Sequence, residues 1–144
     1  MLVEAMMHTD VPTVDRDHTA LRAARLMKEK SVSSVVVVDE LNRPVGLLTD
    51  RDIAVKLVAE GKSPETPVDE IMSHPVYAVS RDALMFDALR EMARRHVHRM
   101  PVIDSESKAL VGVVTAEDSL LLLTTELANV AEVMANVTSP QRHR

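Results

Sequence analysis

The chain has 144 residues, enough for one compact domain or two very small ones. Its three glycines, Gly46, Gly61 and Gly112, are far apart. This excludes a P-loop or a dinucleotide fingerprint, because both need several glycines close together where the backbone approaches phosphate. The absence of cysteine excludes disulfides and thiolate chemistry, and a net charge of −5 provides no basic field for nucleic acid.

The first half of the chain predicts a β-α-β-β-α unit. An extended segment at 11–14 precedes a helix, and Asp17 stands where a carboxylate caps the free amides of that helix. The helix is predicted from apolar residues that recur every three or four positions: Ala20, Ala23, Ala24 and Met27. Apolar segments at 35–38 and 45–48 predict two strands joined by a turn, and the second helix ends at Gly61.

The second half repeats this pattern. A shift of 65 residues aligns Arg16-Asp17 with Arg81-Asp82, so that Asp82 becomes the second predicted cap. One extra residue in the turn at 105–109 then changes the shift to 66. The second predicted helix has matching apolar positions: Met85, Ala88, Leu89 and Met92. We therefore predict a first repeat at 1–63, a second repeat at 64–137 and a loose polar tail at 138–144.

The strands of both repeats are almost continuously apolar, which is typical of a sheet covered by helices. Each repeat has roughly 60 residues and buries too little surface to be stable alone. The sequence therefore predicts an α/β fold in which two β-α-β-β-α repeats pack about a pseudo-twofold axis.

Both repeats end their third strand with the same sequence motif, Gly-x-x-Thr-x-x-Asp. It spans 46–52 in the first repeat and 112–118 in the second. Thr49 and Thr115 then stand at helix N-termini, where free amides favour a polar or anionic group. Asp52 and Asp118 follow in the first turn, and a carboxylate that accepts two hydrogen bonds suits a vicinal diol such as ribose. The alternative is that these threonines only cap the helices and the aspartates only oppose the helix dipoles.

This duplicated phrase resembles the end of a CBS (cystathionine-beta-synthase-type) motif, and the apolar strands and the lead-ins at 3–7 and 68–72 are similar to that family too. The resemblance covers residues 3 to about 125 and implies a stand-alone tandem CBS pair, or Bateman module. In the family, a His-Arg pair before the proline of the second strand can face ligand phosphates, as in the nucleotide-sensing subunits of AMP-activated kinases. His98-Arg99 matches this pair, whereas the first repeat has Ser33-Ser34.

The expected ligand-binding residues form two groups. The main group is Thr49, Arg51, Asp52, His98, Arg99, Thr115 and Asp118. A second group consists of residues beside the predicted mouths: Ser33, Ser34, Tyr77, Met100 and Pro101. The competing interpretations are that Arg51 and Arg99 are solvated charges and that His98 and Tyr77 are ordinary strand-edge residues. We expect no metal site, because the six histidines lack metal-ligand spacing. We also expect no catalytic residue.

The resemblance implies a regulatory module without catalysis that senses an adenosine ligand and requires no cofactor. His98-Arg99, Arg51 and the helix starts at Thr49 and Thr115 suit an anion, so we expect AMP, ADP or ATP. One alternative is an interaction or scaffold protein with vestigial clefts, and another is a sensor of S-adenosylmethionine. A hydrolase or transferase would need a nucleophile elbow, a P-loop or paired carboxylates, none of which is identifiable.

The last predicted helix is longer than its counterpart. Its apolar residues recur with nearly heptad spacing: Leu120, Leu123, Leu127, Val130 and Met134. We expect a homodimer through this surface and a regulated partner that the sequence does not name. The apolar runs are short and no signal peptide is visible, so we expect a cytoplasmic protein that binds neither membrane nor nucleic acid.

Overall fold

The computed structural model describes residues 1–138, which form two pseudo-equivalent halves. Each half has a three-stranded sheet in which the first strand is parallel to the second and the second is antiparallel to the third. The strands of the first sheet are β1 (Thr13–Asp15), β2 (Ser34–Val38) and β3 (Pro44–Thr49). Those of the second are β4 (Val79–Ser80), β5 (Arg99–Ile103) and β6 (Leu110–Thr115). The predicted α/β fold of two β-α-β-β-α repeats is confirmed.

The helices alternate with these strands as the apolar spacing predicts. Helix α1 (Ala20–Lys30) joins β1 to β2, and α3 (Met85–Arg95) joins β4 to β5. Helix α2 begins with one α-helical turn, Asp50–Asp52, and continues as a π-helix over Ile53–Val58. Helix α4 (Ala116–Thr138) is the long final helix. Apart from Thr138, which ends α4, the predicted loose tail lies outside the described residues.

The expected helix caps at Asp17 and Asp82 were wrong. Helix α1 begins three residues after Asp17, and the Thr19 hydroxyl accepts the capping hydrogen bond from the Arg22 amide at 3.1 Å. In the second half Leu84 occupies this position and has no side-chain acceptor. Asp82 instead accepts a hydrogen bond from the Ser105 hydroxyl at 2.7 Å. The apolar period located the helices, whereas the exact first turn decides which residue caps them.

The segments that precede each repeat are exchanged between the halves. Val3 is fully buried in the core of the second half, beside Met85 and Val114. Val68 and Ile71 are fully buried in the core of the first half. The boundary between residues 63 and 64 therefore remains a prediction about the sequence repeat, while each folded core contains side chains from both repeats.

Two short backbone bridges fix this exchange. The His8 amide donates to the Val113 carbonyl at 2.8 Å, and the Val113 amide donates back to His8 at 2.9 Å. Ser73 and Leu47 form the matching bridge, with N–H···O distances of 2.9 and 3.1 Å. Each bridge joins a lead-in to the third strand of the opposite half. The halves are consequently held together by paired backbone groups as well as by apolar contact.

Helix α4 leaves most of its apolar surface uncovered. Its heptad positions are each more than half exposed: Leu120, Leu123, Leu127, Val130, Met134 and Val137. By length and composition alone this helix could also span a membrane, which the short apolar runs of the sequence had not led us to expect. Against this, Glu126, Asn129, Glu132 and Asn136 lie within the helix, where a polar side chain is costly in lipid.

Gly112 allows the close approach of the lead-in, which makes it the most sensitive position of the bridge. A Cβ atom on Gly112 would lie 2.7 Å from the His8 carbonyl oxygen, inside a hydrogen-bonded bridge. A Cβ on Gly46 would instead collide with the flexible thioether of Met72. We expect Gly112→Ala to lower the free energy of unfolding by about 1–3 kcal/mol, and Gly46→Ala to lower it less. Urea denaturation of both variants checks this, and equal losses would contradict the role of the backbone contact.

Candidate ligand-binding clefts

Two clefts lie at equivalent places in the two repeats. The larger of this pair lies between the first lead-in and the second strand of the first half, and has a volume of about 660 Å³. One wall is the segment 7–12, which runs from the crossed lead-in towards β1. The opposite wall is the α1–β2 connection at 31–34, followed by Val36. Val113 and Arg99 of the second half complete it. The cleft therefore exists only when both halves are assembled.

The smaller cleft is the pseudo-symmetric counterpart, with a volume of about 100 Å³. Its lining consists of the residues equivalent to those of the larger cleft: Leu47, Ser73, Pro75, Val76, Tyr77, Val97, Arg99 and Pro101. The 65-residue shift places Tyr77 where the larger cleft has Pro12, and Pro101 where it has Val36. The two clefts thus share an architecture but differ in the side chains that fill them.

Arg99 lies between the two clefts and lines both of them. One terminal nitrogen, Nη1, donates to the Ser34 hydroxyl at 2.7 Å and to the Ser33 hydroxyl at 3.1 Å. No ion pair joins Arg99 to a carboxylate within residues 1–138. A guanidinium has five N–H donors, so this half-buried cation retains donors for an anionic group in the larger cleft.

Asp118 lies beside the larger cleft and is held by two neighbours. The Thr115 hydroxyl donates to its Oδ2 at 2.8 Å, and His8 Nε2 lies 2.9 and 3.0 Å from the two carboxylate oxygens. Burial by itself raises the pKa of Asp118, but the hydrogen bonds from His8 and Thr115 outweigh it and hold that pKa below its ordinary value. Since His8 also lines the cleft, this contact links the carboxylate to the cleft wall.

Asp52 occupies the matching position beside the smaller cleft and is more deeply buried. Its Oδ2 accepts from the Thr49 amide at 2.9 Å, while the Asp52 amide donates to the Thr49 hydroxyl at 3.1 Å, which together form a capping box. Its Oδ1 pairs with Lys56 Nζ at 3.1 Å. Lys56 also reaches the hydroxyl of Ser73, a residue of the smaller cleft, at 3.4 Å.

The other predicted residues are spread more widely. Tyr77 and Pro101 line the smaller cleft. His98 lies outside both linings, and its Nδ1 is 3.3 Å from Glu117 Oε1 on the exposed start of α4. Arg51 is exposed on the first turn of α2, and Met100 is 2% exposed in the core of the second half. Binding roles for these last three residues remain predictions, with no cleft contact behind them.

Sequence reasoning missed most of one wall of the larger cleft. These residues end the first lead-in and continue it towards β1: Met7, His8, Thr9, Asp10, Val11 and Pro12. The segment carries no ligand-binding motif, so its own residues gave no signal. The repeat alignment could have drawn attention to it, because the equivalent segment contains Tyr77, which was already a candidate.

One group of potential metal ligands occurs within residues 1–138, formed by Asp15, Asp17 and His18. The Asp15 amide donates to His18 Nδ1 at 3.0 Å, so Nδ1 must be unprotonated and Nε2 carries the proton of the neutral ring. That Nε2 lies 3.4 Å from Asp15 Oδ2. A metal ion would need the Nε2 lone pair, and the local hydrogen bond therefore opposes ligation by this imidazole.

Comparison with known proteins agrees with this architecture. The CBS domain matches two stretches of the chain, residues 3–59 and 68–118. The chain belongs to the CBS domain family. Two CBS repeats form one unit here, so the molecule is a CBS pair, and such pairs are regulatory ligand-binding domains.

Two relatives and one solved structure illustrate the relationship. The uncharacterized protein MK0525 of Methanopyrus kandleri is 36% identical to this CBS pair over 126 residues, which are 87% of this chain and 64% of that protein. The CBS pair thus spans slightly less than two thirds of that relative. The CBS domain-containing protein YhcV of Bacillus subtilis is 37% identical over 116 residues, 81% of each protein.

One structural neighbour is the CBS domain pair of protein MJ0100, solved in complex with 5′-methylthioadenosine and S-adenosyl-L-methionine. It is 25% identical, has a TM-score of 0.77, and covers 88% of this chain and 98% of its own. This agreement extends the family assignment from sequence to the arrangement of the two repeats.

The hydrogen bonds of Asp118 predict a pH-dependent contribution to stability. Because the folded-state pKa of Asp118 is lowered, its contribution is complete above the ordinary aspartate pKa and is lost as pH falls through the folded pKa. We expect Asp118→Asn to be less stable than the parent at neutral pH, and the difference to shrink in the acidic range. Urea denaturation across that range measures it, with Asp10→Asn at the same cleft as the control. A difference that does not change with pH would exclude the ionised contact.

Proposed function

We propose that this CBS pair is a regulatory module that binds an adenosine nucleotide, AMP, ADP or ATP, in its larger cleft and catalyses no reaction. The observation that supports this most directly is Arg99. Its guanidinium is already oriented by Ser33 and Ser34 and has no carboxylate partner in the described chain. An arginine held in this way favours a ligand that presents two neighbouring anionic oxygens, such as a phosphate.

The rest of the larger cleft suits a nucleoside. Val11, Pro12, Val36 and Val113 provide apolar wall against which a base can pack. Asp118 is the acceptor for the ribose diol, and its carboxylate has lone-pair capacity beyond the hydrogen bonds from Thr115. Binding of a ribose would require His8 to share or leave Asp118, which costs part of the energy gained. The lead-in is therefore the element whose position the ligand would change.

S-adenosylmethionine is the second candidate, because one specific residue favours it. The exposed carboxylate of Asp10 lines the larger cleft and would attract a sulfonium cation. The MJ0100 pair, whose complex contains S-adenosyl-L-methionine, shows that the fold accommodates this ligand. Arg99 has the opposite effect on a cation, and it is the more buried of the two charges. Since desolvation strengthens an electrostatic interaction, we favour the nucleotide.

A regulatory output follows from the composite cleft. A ligand that touches the first lead-in, β2 and Arg99 makes contacts in both halves at once, and so favours one packing of the halves over others. The regulated partner would respond to this shift in population. No covalent step is needed for such a mechanism.

Helix α4 provides the surface for a homodimer. Its exposed apolar residues are separated alternately by three and four positions, from Leu120 to Val137. The polar residues Glu126, Asn129 and Glu132 occupy other heptad positions and leave this apolar seam continuous. A second copy of the same helix would cover the apolar seam with matching spacing, and the pair would hold two CBS units in a fixed relation.

Arg99→Ala tests the nucleotide proposal. A hydrogen bond to a charged group contributes about 1.5–3 kcal/mol, so we expect AMP affinity to fall roughly ten- to a hundredfold. Adenosine affinity should change little, because adenosine lacks the phosphate. Calorimetry with both ligands measures the two effects, and Arg94→Ala, which removes an exposed arginine from α3, is the matched control.

Three outcomes would count against the nucleotide, two from these titrations and one from thermal unfolding. Equal losses for AMP and adenosine would show that Arg99 supports the cleft and contacts no phosphate. Tight S-adenosylmethionine binding without measurable nucleotide binding would replace the proposed ligand. If AMP, ADP, ATP and S-adenosylmethionine all failed to raise the melting temperature, the scaffold interpretation would be favoured, because a ligand that binds the native state stabilises it.

Leu123→Glu and Leu127→Glu test the dimer. Each variant places a charge in the apolar seam of α4, where desolvation opposes association. We expect sedimentation equilibrium to show a dimer for the parent and a marked shift towards monomer for both variants. Asn129→Glu, on the polar side of the same helix, should leave the dimer intact. A monomeric parent, or a parent that is recovered with lipid vesicles, would contradict self-association through α4.

A further inference from the structure

The two clefts are equivalent in origin but far from equal in size. Ligand sites for small molecules usually have volumes of about 300–1,000 Å³. The larger cleft, at about 660 Å³, falls within this range, whereas the smaller one, at about 100 Å³, falls below it. Most equivalent lining positions differ in residue type, and the changes in side-chain size are candidates for the cause.

Tyr77 is, with Arg99, one of the two largest increases in side-chain size among these positions. The larger cleft has Pro12 at the equivalent position, so the second repeat places an aromatic ring where the first has a small pyrrolidine. Arg95 at the end of α3 lies over this ring, with its guanidinium carbon 4.0 Å from the ring centroid. Arg95 is held in turn by Glu91, because its Nε donates a hydrogen bond to Glu91 Oε2 at 3.3 Å. The ring is therefore fixed by a cation–π contact.

The first repeat has no such arrangement. By the same 65-residue shift, Lys30 stands in place of Arg95 and Leu26 in place of Glu91. Pro12 has no aromatic face to attract a cation. The contact between Tyr77 and Arg95 therefore has no equivalent in the first repeat.

Arg99 adds to the asymmetry. It is the counterpart of Ser34, and its side chain extends across the axis to the serines of the larger cleft. Arg99 forms no ion pair within residues 1–138, and its hydrogen-bonding end is directed into the larger cleft. A ligand in the smaller cleft would have less space, and the Lys56 cation beside that cleft is paired with Asp52.

We propose that Tyr77 and Arg95 close the second cleft, so that each chain binds a single nucleotide, in the larger cleft. This inference rests on the proposed function for the ligand, but it adds the stoichiometry and the residues that determine it. The Tyr77 ring, which lines the smaller cleft and is 37% exposed, would stand in the position that a base takes in the larger one.

Reciprocal substitutions test the stoichiometry by calorimetry with AMP. The parent should bind one AMP per chain, and Tyr77→Ala combined with Arg95→Ala should gain a second, weaker site. Pro12→Tyr should reduce binding at the original site by about tenfold or more. The control is Phe86→Ala combined with Arg90→Ala, which removes the other cation–π pair, on the exposed side of α3, and should keep one site.

Tyr77 also reports on closure directly, because the chain has one tyrosine and no tryptophan. Saturation of the parent with AMP should leave tyrosine emission unchanged after correction for adenine absorbance. In the absence of nucleotide, Arg95→Ala should increase quenching of Tyr77 by acrylamide, because the guanidinium no longer covers the ring.

These measurements separate the inference from the proposed function. Two AMP molecules bound to the parent, or one bound to the Tyr77/Arg95 double variant, would overturn the closure while leaving nucleotide binding intact. Unchanged acrylamide quenching in Arg95→Ala would also overturn it. Absence of AMP binding to every variant and to the parent would refute the proposed function, and the stoichiometry with it.

Discussion

Each lead-in segment crosses to the opposite half and pairs with its third strand, and the remaining structure depends on this exchange. Val3 fills the second core and Val68 the first, so neither half has a complete core made from one repeat. The bridges of His8 with Val113 and of Ser73 with Leu47 then satisfy backbone groups that would otherwise be exposed at a strand edge. A repeat of this size buries too little surface by itself, and the exchange makes the two repeats one cooperative unit.

The clefts are a direct consequence of the same crossing. Once a lead-in has paired with the opposite third strand, its continuation must return to begin the first strand of its own half. The return path at 9–12 leaves a space against the α1–β2 connection, and that space is the larger cleft. His8 belongs to both the bridge and the cleft wall, and its side chain contacts Asp118. The proposed ligand site and the packing of the halves therefore share one short segment.

The two repeats form two equivalent clefts whose lining residues differ. The serines at 33 and 34 remain small and leave room for a ligand, while their counterparts include Arg99, which projects towards them. Tyr77, over which Arg95 lies, lines the smaller cleft. An approximately symmetric backbone thus carries two clefts of unequal volume. The asymmetry also extends to α4, whose uncovered apolar seam has no counterpart on the short helix α2.

The sequence by itself determined the repeat, the α/β class, the family and nearly all strands and helices, because apolar periodicity and duplicated phrases are local properties of the chain. It also identified Arg99, Ser33, Ser34 and Tyr77, which the structure places at the clefts. It did not determine the capping residues, since Thr19 and Asp17 are equally plausible until the first helical turn is fixed. Only the tertiary structure decided that the lead-ins are exchanged, that Met100 faces the core and that 9–12 forms a wall. Those features depend on which half each segment contacts, and a contact between residues more than a hundred positions apart, such as His8 with Asp118, leaves no periodic signal in the chain.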